Sequence, residues 1–190
     1  MRDPLVKGHP LHAIVTDLPI GAAVAGAAFD ALALVRRSSR WRFAADAAVG
    51  AASLSGAGAA LLGLWDYQAV PRDHPARRVG ALHGWLNAGI VALLGLSALA
   101  RRGSAARAAD PWEPSGRDLL ASGLSLGALG LLGASGWLGG DLVYRLGWRV
   151  APAEYDEQLE SALHDRGDDA LIAQAHHTVE QYEQTHALLP

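Results

Sequence analysis

Within the apolar part of this chain few residues have chemistry to offer, and they fall in four places; His164, His176, His177 and His186, scattered on an acidic segment, read as surface residues rather than metal ligands. "HPLH" sets His9 and His12 three residues apart at the start of a long apolar run, with Thr16 and Asp17 about a turn further on. Asp66 and Tyr67 lie in "GLWDYQAV", His83 and Asn87 in "ALHGWLN", and Asp141 and Tyr144 in "GGDLVYR". Imidazole and carboxylate are ligands for zinc, iron, nickel or copper, and imidazole is also an axial ligand of haem iron. Cysteine is absent, which removes disulfides, thiolate zinc sites, cysteine-ligated iron–sulfur clusters and cysteine nucleophiles. No phosphate-binding loop, dinucleotide fingerprint, zinc-protease motif or GxSxG elbow occurs.

The elements that must position these residues are four apolar segments, roughly Ala13 to Val35, Phe43 to Leu64, Gly80 to Ala100 and Leu119 to Gly139. Each is about 20 residues long, enough for a helix rising 1.5 Å per residue to cross a hydrocarbon layer of about 30 Å. A buried helix of a soluble bundle would carry a polar stripe, and Gly50 to Leu64 has none. The first segment is too long, and lacks the cleavage pattern, for a signal peptide, so it reads as a retained span. The fold expected is all-α: a four-helix transmembrane bundle, up-down-up-down, over residues 1–150. Lipid gives helices no hydrophobic reason to associate, so close approach at small residues must hold them. Gly50, Ser53, Gly56 and Gly63 supply it in the second segment, and Ser122, Gly127, Gly130 and Gly136 in the fourth. Trp41 and Trp112 should mark one interface, and Trp65, Trp85, Trp137 and Trp148 the other.

Residues 151–190 are different in kind. Residues 1–150 hold 15 Lys/Arg against 10 Asp/Glu, whereas 151–190 hold one Arg against nine acids. This acidic extension is expected to form short amphipathic helices, Glu154 to His164 and Asp168 to His186, broken at Gly167. Its charge argues against nucleic acid and anionic lipid headgroups as partners and suits a basic soluble one.

In an up-down-up-down bundle the start of the first and third helices and the end of the second and fourth share one membrane face. His9, His12, Asp66, His83 and Asp141 therefore gather there, while the opposite face carries mainly arginines. The first and third helices are parallel and diagonal, which puts His12 and His83 at similar depth. With neighbouring helices about 8–10 Å apart, the diagonal suits a b-type haem with an imidazole on each side, Thr16 and Asn87 lining the pocket. A divalent metal ion held by His9, His12, Asp66, His83 and Asp141 is the competing ligand set. The third reading leaves these side chains as interfacial helix starts, caps or proton-handling groups in a non-catalytic membrane subunit.

Taken in order, four motifs resemble the DUF2231 family of predicted integral membrane proteins. They are His9-Pro10-Leu11-His12 followed by Pro19, Gly63-Leu64-Trp65-Asp66-Tyr67, His83 in the third helix, and Gly139-Gly140-Asp141-Leu142-Val143-Tyr144. The resemblance runs over about residues 8–150. It implies a four-helix integral membrane domain, and the fusion of some members to Rieske-type modules points to electron transfer with a membrane or soluble redox partner. It implies no settled activity.

A carboxylate in hydrocarbon costs about 2.5–3.5 kcal/mol, so Asp17, Asp30 and Asp46 should face the bundle, pair or be protonated. Asp17 is expected to cap a neighbouring helix or meet an arginine, and Asp30 and Asp46 to meet Arg36, Arg37, Arg40 or Arg42. The loops joining helices 1–2 and 3–4 carry eight arginines against seven basic residues near the other face. The dense cluster around Arg36 places that side in the cytoplasm and both termini outside it, in a multi-pass protein of the cell membrane. Small-residue faces left over after the bundle closes would suit a homodimer.

Overall fold

The computed structural model describes residues 5–6, 9–72, 74–102, 111–148, 163–174 and 176–177. The chain divides into two compact units, Met1–Arg149 and Val150–Pro190. In the first, β1 (Leu5–Val6) pairs antiparallel with β2 (His9–Pro10) over two residues, and every later regular element among the described residues is helical. The helices are α1 (Leu11–Val15), α2 (Asp17–Arg36), α3 (Ser39–Gln68), α4 (Ala76–Ala100) and α5 (Gly116–Gly140), the last running on into a π-helical turn, Asp141–Arg145.

α1 and α2 form one span, Leu11–Arg36, interrupted at Thr16. Pro19 is the physical cause, because it has no N–H for the Val15 carbonyl and its ring crowds that oxygen. The bonds from the Thr16 N–H to the His12 carbonyl and from the Ile20 N–H to the Thr16 carbonyl, both 3.2 Å, carry the helix across the break. α2 reverses into α3 within two residues. Arg37 takes left-handed backbone (φ 48°), donating its N–H to the Ala33 carbonyl, and Ser38 is extended. α5 starts at a reciprocal cap in which Ser115 and Asp118 each bond the other's backbone N–H.

α2 lies along α3 and α4 along α5, and contacts of α3 with α4 and of α2 with α5 close the ring, which leaves α2 and α4 on a diagonal. The interior is built from small residues: Ala23, Ala33, Ala45, Ala52, Ala59, Ala121 and Ala128 are all buried, with Val49, Ile90 and Leu94 among the few larger ones. The large side chains point outward, Leu54 80% and Trp85 78% exposed, with Phe43, Leu61 and Trp137 like them. An exterior that apolar needs lipid around it, and four spans of 25 to 30 residues are long enough to cross a bilayer. The protein is a four-helix transmembrane bundle, all-α as the sequence predicts.

The arginine end of the bundle is closed by a buried ionic network. Arg101 forks onto Asp30, with Nη1 donating at 2.9 Å to Oδ1 and Nη2 to Oδ2. Arg42 reaches Asp30 at 3.2 Å, Asp46 at 3.0 Å and Asp118 at 3.3 Å. Arg101 Nε donates to Ser97 Oγ (3.0 Å) and Nη2 to Ser125 Oγ (3.1 Å). The pairing of Asp30 and Asp46 with Arg42 agrees with the sequence expectation, but the larger partner is Arg101, from the far hairpin. Arg36, Arg37 and Arg40 stay exposed.

Two expectations are corrected. Asp17 is exposed in the first turn of α2, where the positive end of the helix dipole favours a carboxylate, rather than turned into the bundle. Trp112 does not mark an interface. It is 2% exposed, its ring lying 5.5 Å from the Arg42 guanidinium and its backbone N–H donating to the Arg37 carbonyl at 2.7 Å, so it covers the network. Trp65, Trp85 and Trp137 are exposed, while Trp148 packs on His74 at 5.5 Å.

In the second unit, 163–165 and 169–174 are helical, and Gly167 breaks them with φ +77° as its position predicts. Exposed His164 meets Asp169 at 2.6 Å. Residues 176–177 are helical too, and the rest of the two expected tail helices lies outside the described residues.

Removing one partner from a buried, networked ion pair leaves an uncompensated charge and costs about 3–5 kcal/mol. Asp30→Ala, which takes one carboxylate partner from both Arg42 and Arg101, should lower the thermal midpoint of the detergent-purified protein steeply. Asp17→Ala should leave it nearly unchanged. Equal midpoints for the two variants would show that the network contributes nothing.

Candidate functional site

At the other end of the bundle His12 and His83 converge. Each stands in the first turns of its span, His12 in α1 and His83 in α4, and their ring centroids are 6.3 Å apart with the planes at 82°. Both rings are held the same way. His12 Nδ1 lies 2.9 Å from the Ala59 carbonyl oxygen and His83 Nδ1 2.9 Å from the Ser135 carbonyl oxygen. A carbonyl only accepts, so each Nδ1 carries a proton, and the neutral form of each ring has its lone pair on Nε2. This is the anchoring that fixes a metal-ligating imidazole in orientation and tautomer.

Two glycines let the rings come this close to their neighbouring helices. A Cβ on Gly63 would stand 2.8 Å from His12 Cε1, and one on Gly139 would stand 3.3 Å from His83 Cε1. The imidazoles therefore pack on bare helix backbone, His12 against α3 and His83 against α5. Asn87 completes the His83 side, its amide donating to the His83 carbonyl (2.9 Å) and to Ser135 Oγ (3.0 Å), which itself sits 3.0 Å from His83 Nδ1. Thr16 turns its hydroxyl to the Ala13 carbonyl at 2.9 Å, inside its own helix at the proline break.

The other sequence candidates are placed differently. Asp66 is buried at the end of α3, where Arg77 folds over Tyr67 at 4.2 Å and caps the Tyr67 and Val70 carbonyls at 3.2 and 2.7 Å. Half-buried Asp141 pairs with exposed Arg145 one turn on, at 3.2 Å. The His9 backbone pairs in β2, and its side chain lies outside the described residues. Among the described residues no three His, Asp or Glu side chains come together to hold a metal ion. What assembles is the imidazole pair, with Asn87.

Ser135 was not legible as a functional residue, since it is one of many small residues in α5 and its role depends on which face of α5 meets α4. The signal in the sequence is its place four residues before Gly139, one turn away on the same helix face.

An all-helical, multi-pass membrane protein with its polar groups gathered at the two ends of the bundle is what this fold and site define. The chain belongs to the predicted membrane protein family DUF2231, which it matches over residues 8–152. Neither a curated protein nor a solved structure matches it.

Ser135→Ala removes a hydroxyl that accepts from the Asn87 amide while keeping the carbonyl that holds His83. Leaving a buried donor unsatisfied costs about 1–3 kcal/mol, and the thermal midpoint should fall accordingly. Adding Asn87→Ala to Ser135→Ala should then cost little more, because the orphaned amide is gone; additive losses would count against the bond.

Proposed function

We propose that this protein holds a b-type haem between His12 and His83 and carries electrons within the membrane. The observation that supports this reading is the paired, Nδ1-anchored imidazoles at 6.3 Å. His12 and His83 would hold the iron, and rings 6.3 Å apart are near enough for one metal ion to be shared between them. Two imidazoles complete a haem iron, because the macrocycle itself supplies four nitrogens. They fall short of the four ligands of a structural zinc site.

In this role the chain's own residues hold the ligands rather than do chemistry. The Ala59 and Ser135 carbonyls fix the ring tautomers, Asn87 steadies Ser135, and Gly63 and Gly139 keep the rings against the helices. When bound, the haem would supply one-electron transfer. The surrounding apolar bundle would tune its potential by excluding water. The acidic segment beyond residue 150 gives a basic soluble redox partner a surface to approach.

Protein expressed with added haem and purified in detergent should be coloured, with a Soret band that shifts on reduction. His12→Ala and His83→Ala should each abolish the six-coordinate spectrum. Colourless protein containing a stoichiometric transition metal would replace this reading with that of a small metal ion on the same imidazoles.

We infer further that the arginine end faces the cytoplasm and both termini lie outside, supported by the cluster Arg36, Arg37, Arg40 and Arg42 around the turn from α2 to α3. A C-terminal reporter active only in the cytoplasm should stay silent, and activity there would reverse the assignment.

A further inference from the structure

We propose that the imidazole site is one half-site built twice: α1–α2–α3 and α4–α5 are two copies of one helical hairpin, related by a pseudo-two-fold axis along the membrane normal, with His12 and His83 facing each other across it. Parallel repeats of this kind are a known way of building membrane proteins. The residues that carry the proposal keep a constant register. His12 and His83 are 71 residues apart, and so are Asp30 and Arg101, and Thr16 and Asn87. In the second helix of each hairpin the spacing is 76 residues, relating Arg42 to Asp118, Ala59 to Ser135 and Gly63 to Gly139. The five extra residues fall between the two helices of the second hairpin, where α4 also ends about two turns short of the counterpart of Arg36, so that fifteen residues join α4 to α5 against two between α2 and α3.

Equivalent positions do equivalent things. Each histidine donates from Nδ1 to a carbonyl of the following helix and packs on the glycine one turn beyond that carbonyl. Buried Ala45 and Ala52 correspond to buried Ala121 and Ala128. Gly26, where an added Cβ would meet Val49 Cγ2 at 2.9 Å, corresponds to Ser97, whose hydroxyl meets that of Ser125, the counterpart of Val49, at 2.9 Å. The same close contact between helices is apolar in one hairpin and polar in the other.

At the arginine end the equivalent residues carry opposite charge and pair across the axis, Asp30 with Arg101 and Arg42 with Asp118. Two identical hairpins would set Asp30 against its own copy. Opposite charges at equivalent positions therefore lock the two halves together as unlike partners, while the imidazole end stays alike. A ligand on the axis meets the same set of groups from both sides, which suits a planar metal macrocycle with two similar faces. That last step rests on the function proposed above; the duplication itself rests on register and geometry.

The full-length chain, ¹⁵N-labelled at histidine and without added haem, tests it. Two imidazoles should appear in the Nδ1–H tautomer, assigned by His12→Ala and His83→Ala. Gly63→Ala should shift the His12 signal and Gly139→Ala the His83 signal, while Gly58→Ala and Gly133→Ala, where an added Cβ meets nothing within 4 Å, shift neither. The second arm exchanges the two halves at the network. Gly26→Ser, Asp30→Arg, Arg42→Asp, Asp46→Ser and Val49→Ser are combined with Ser97→Gly, Arg101→Asp, Asp118→Arg, Ser122→Asp and Ser125→Val. This regenerates the same network turned by half a rotation. The tenfold exchange should keep both imidazole signals and melt well above the single variant Asp30→Arg. An exchanged chain no more stable than that single variant, or glycine variants that leave the signals unmoved, would overturn the duplicated half-site. Colourless protein with both arms fulfilled would overturn the haem alone.

Discussion

Inside a helical bundle in lipid, a polar side chain finds its partner on another helix or on its own backbone, because no water is there to serve instead. Both ends of this molecule follow from that constraint. Asp30 and Arg101 come from different hairpins, and a fork between them brings α2 against α4 across the bundle, while Arg42 and Asp118 add α3 and α5. Burying such charges is unfavourable taken singly, and succeeds here because each carboxylate of the network meets a guanidinium and the serines Ser97 and Ser125 take further donors. The network thus specifies which faces meet more than it adds to stability.

Close approach is the second half of the same constraint. With alanine and glycine on the facing surfaces, backbones come near enough for a side chain of one helix to reach a carbonyl of the next. The imidazoles depend on it, since His12 reaches the Ala59 carbonyl only by lying over Gly63, and His83 reaches the Ser135 carbonyl beside Gly139. Helical carbonyls are ordinarily occupied by their own ladder, and each retains a second lone pair that an N–H from outside can use. A pair of rings held to rigid helices in this manner is preorganised, which is what the proposed haem would require of its ligands.

Much of this was legible from residue type and order. Four apolar runs of bilayer length, joined by short connections, leave an up-down-up-down bundle as the simplest arrangement, and that arrangement alone brings His12 and His83 to one face at one depth. The pairing of Asp30 and Asp46 with Arg42 also follows, since charges at the same depth of one hairpin have few other partners. Less legible was Trp112. A tryptophan near a span end ordinarily sits among headgroups, and only the course of the segment before α5 turns it over Arg42 instead.

The sequence by itself determined the class of the protein, the number and length of its spans, and the two polar ends, because hydropathy and helix length act locally and need no partner. Tertiary structure alone decided which polar groups meet. Arg101 finds Asp30 71 residues away, Ser135 finds His83 52 residues away, and Asp66 and Asp141 end apart from the imidazole pair although they share its end of the bundle. Such choices depend on the rotation of each helix about its own axis. Small residues repeat on several faces of these helices, so the face that packs is settled by the sum of contacts across the bundle and not by any one segment.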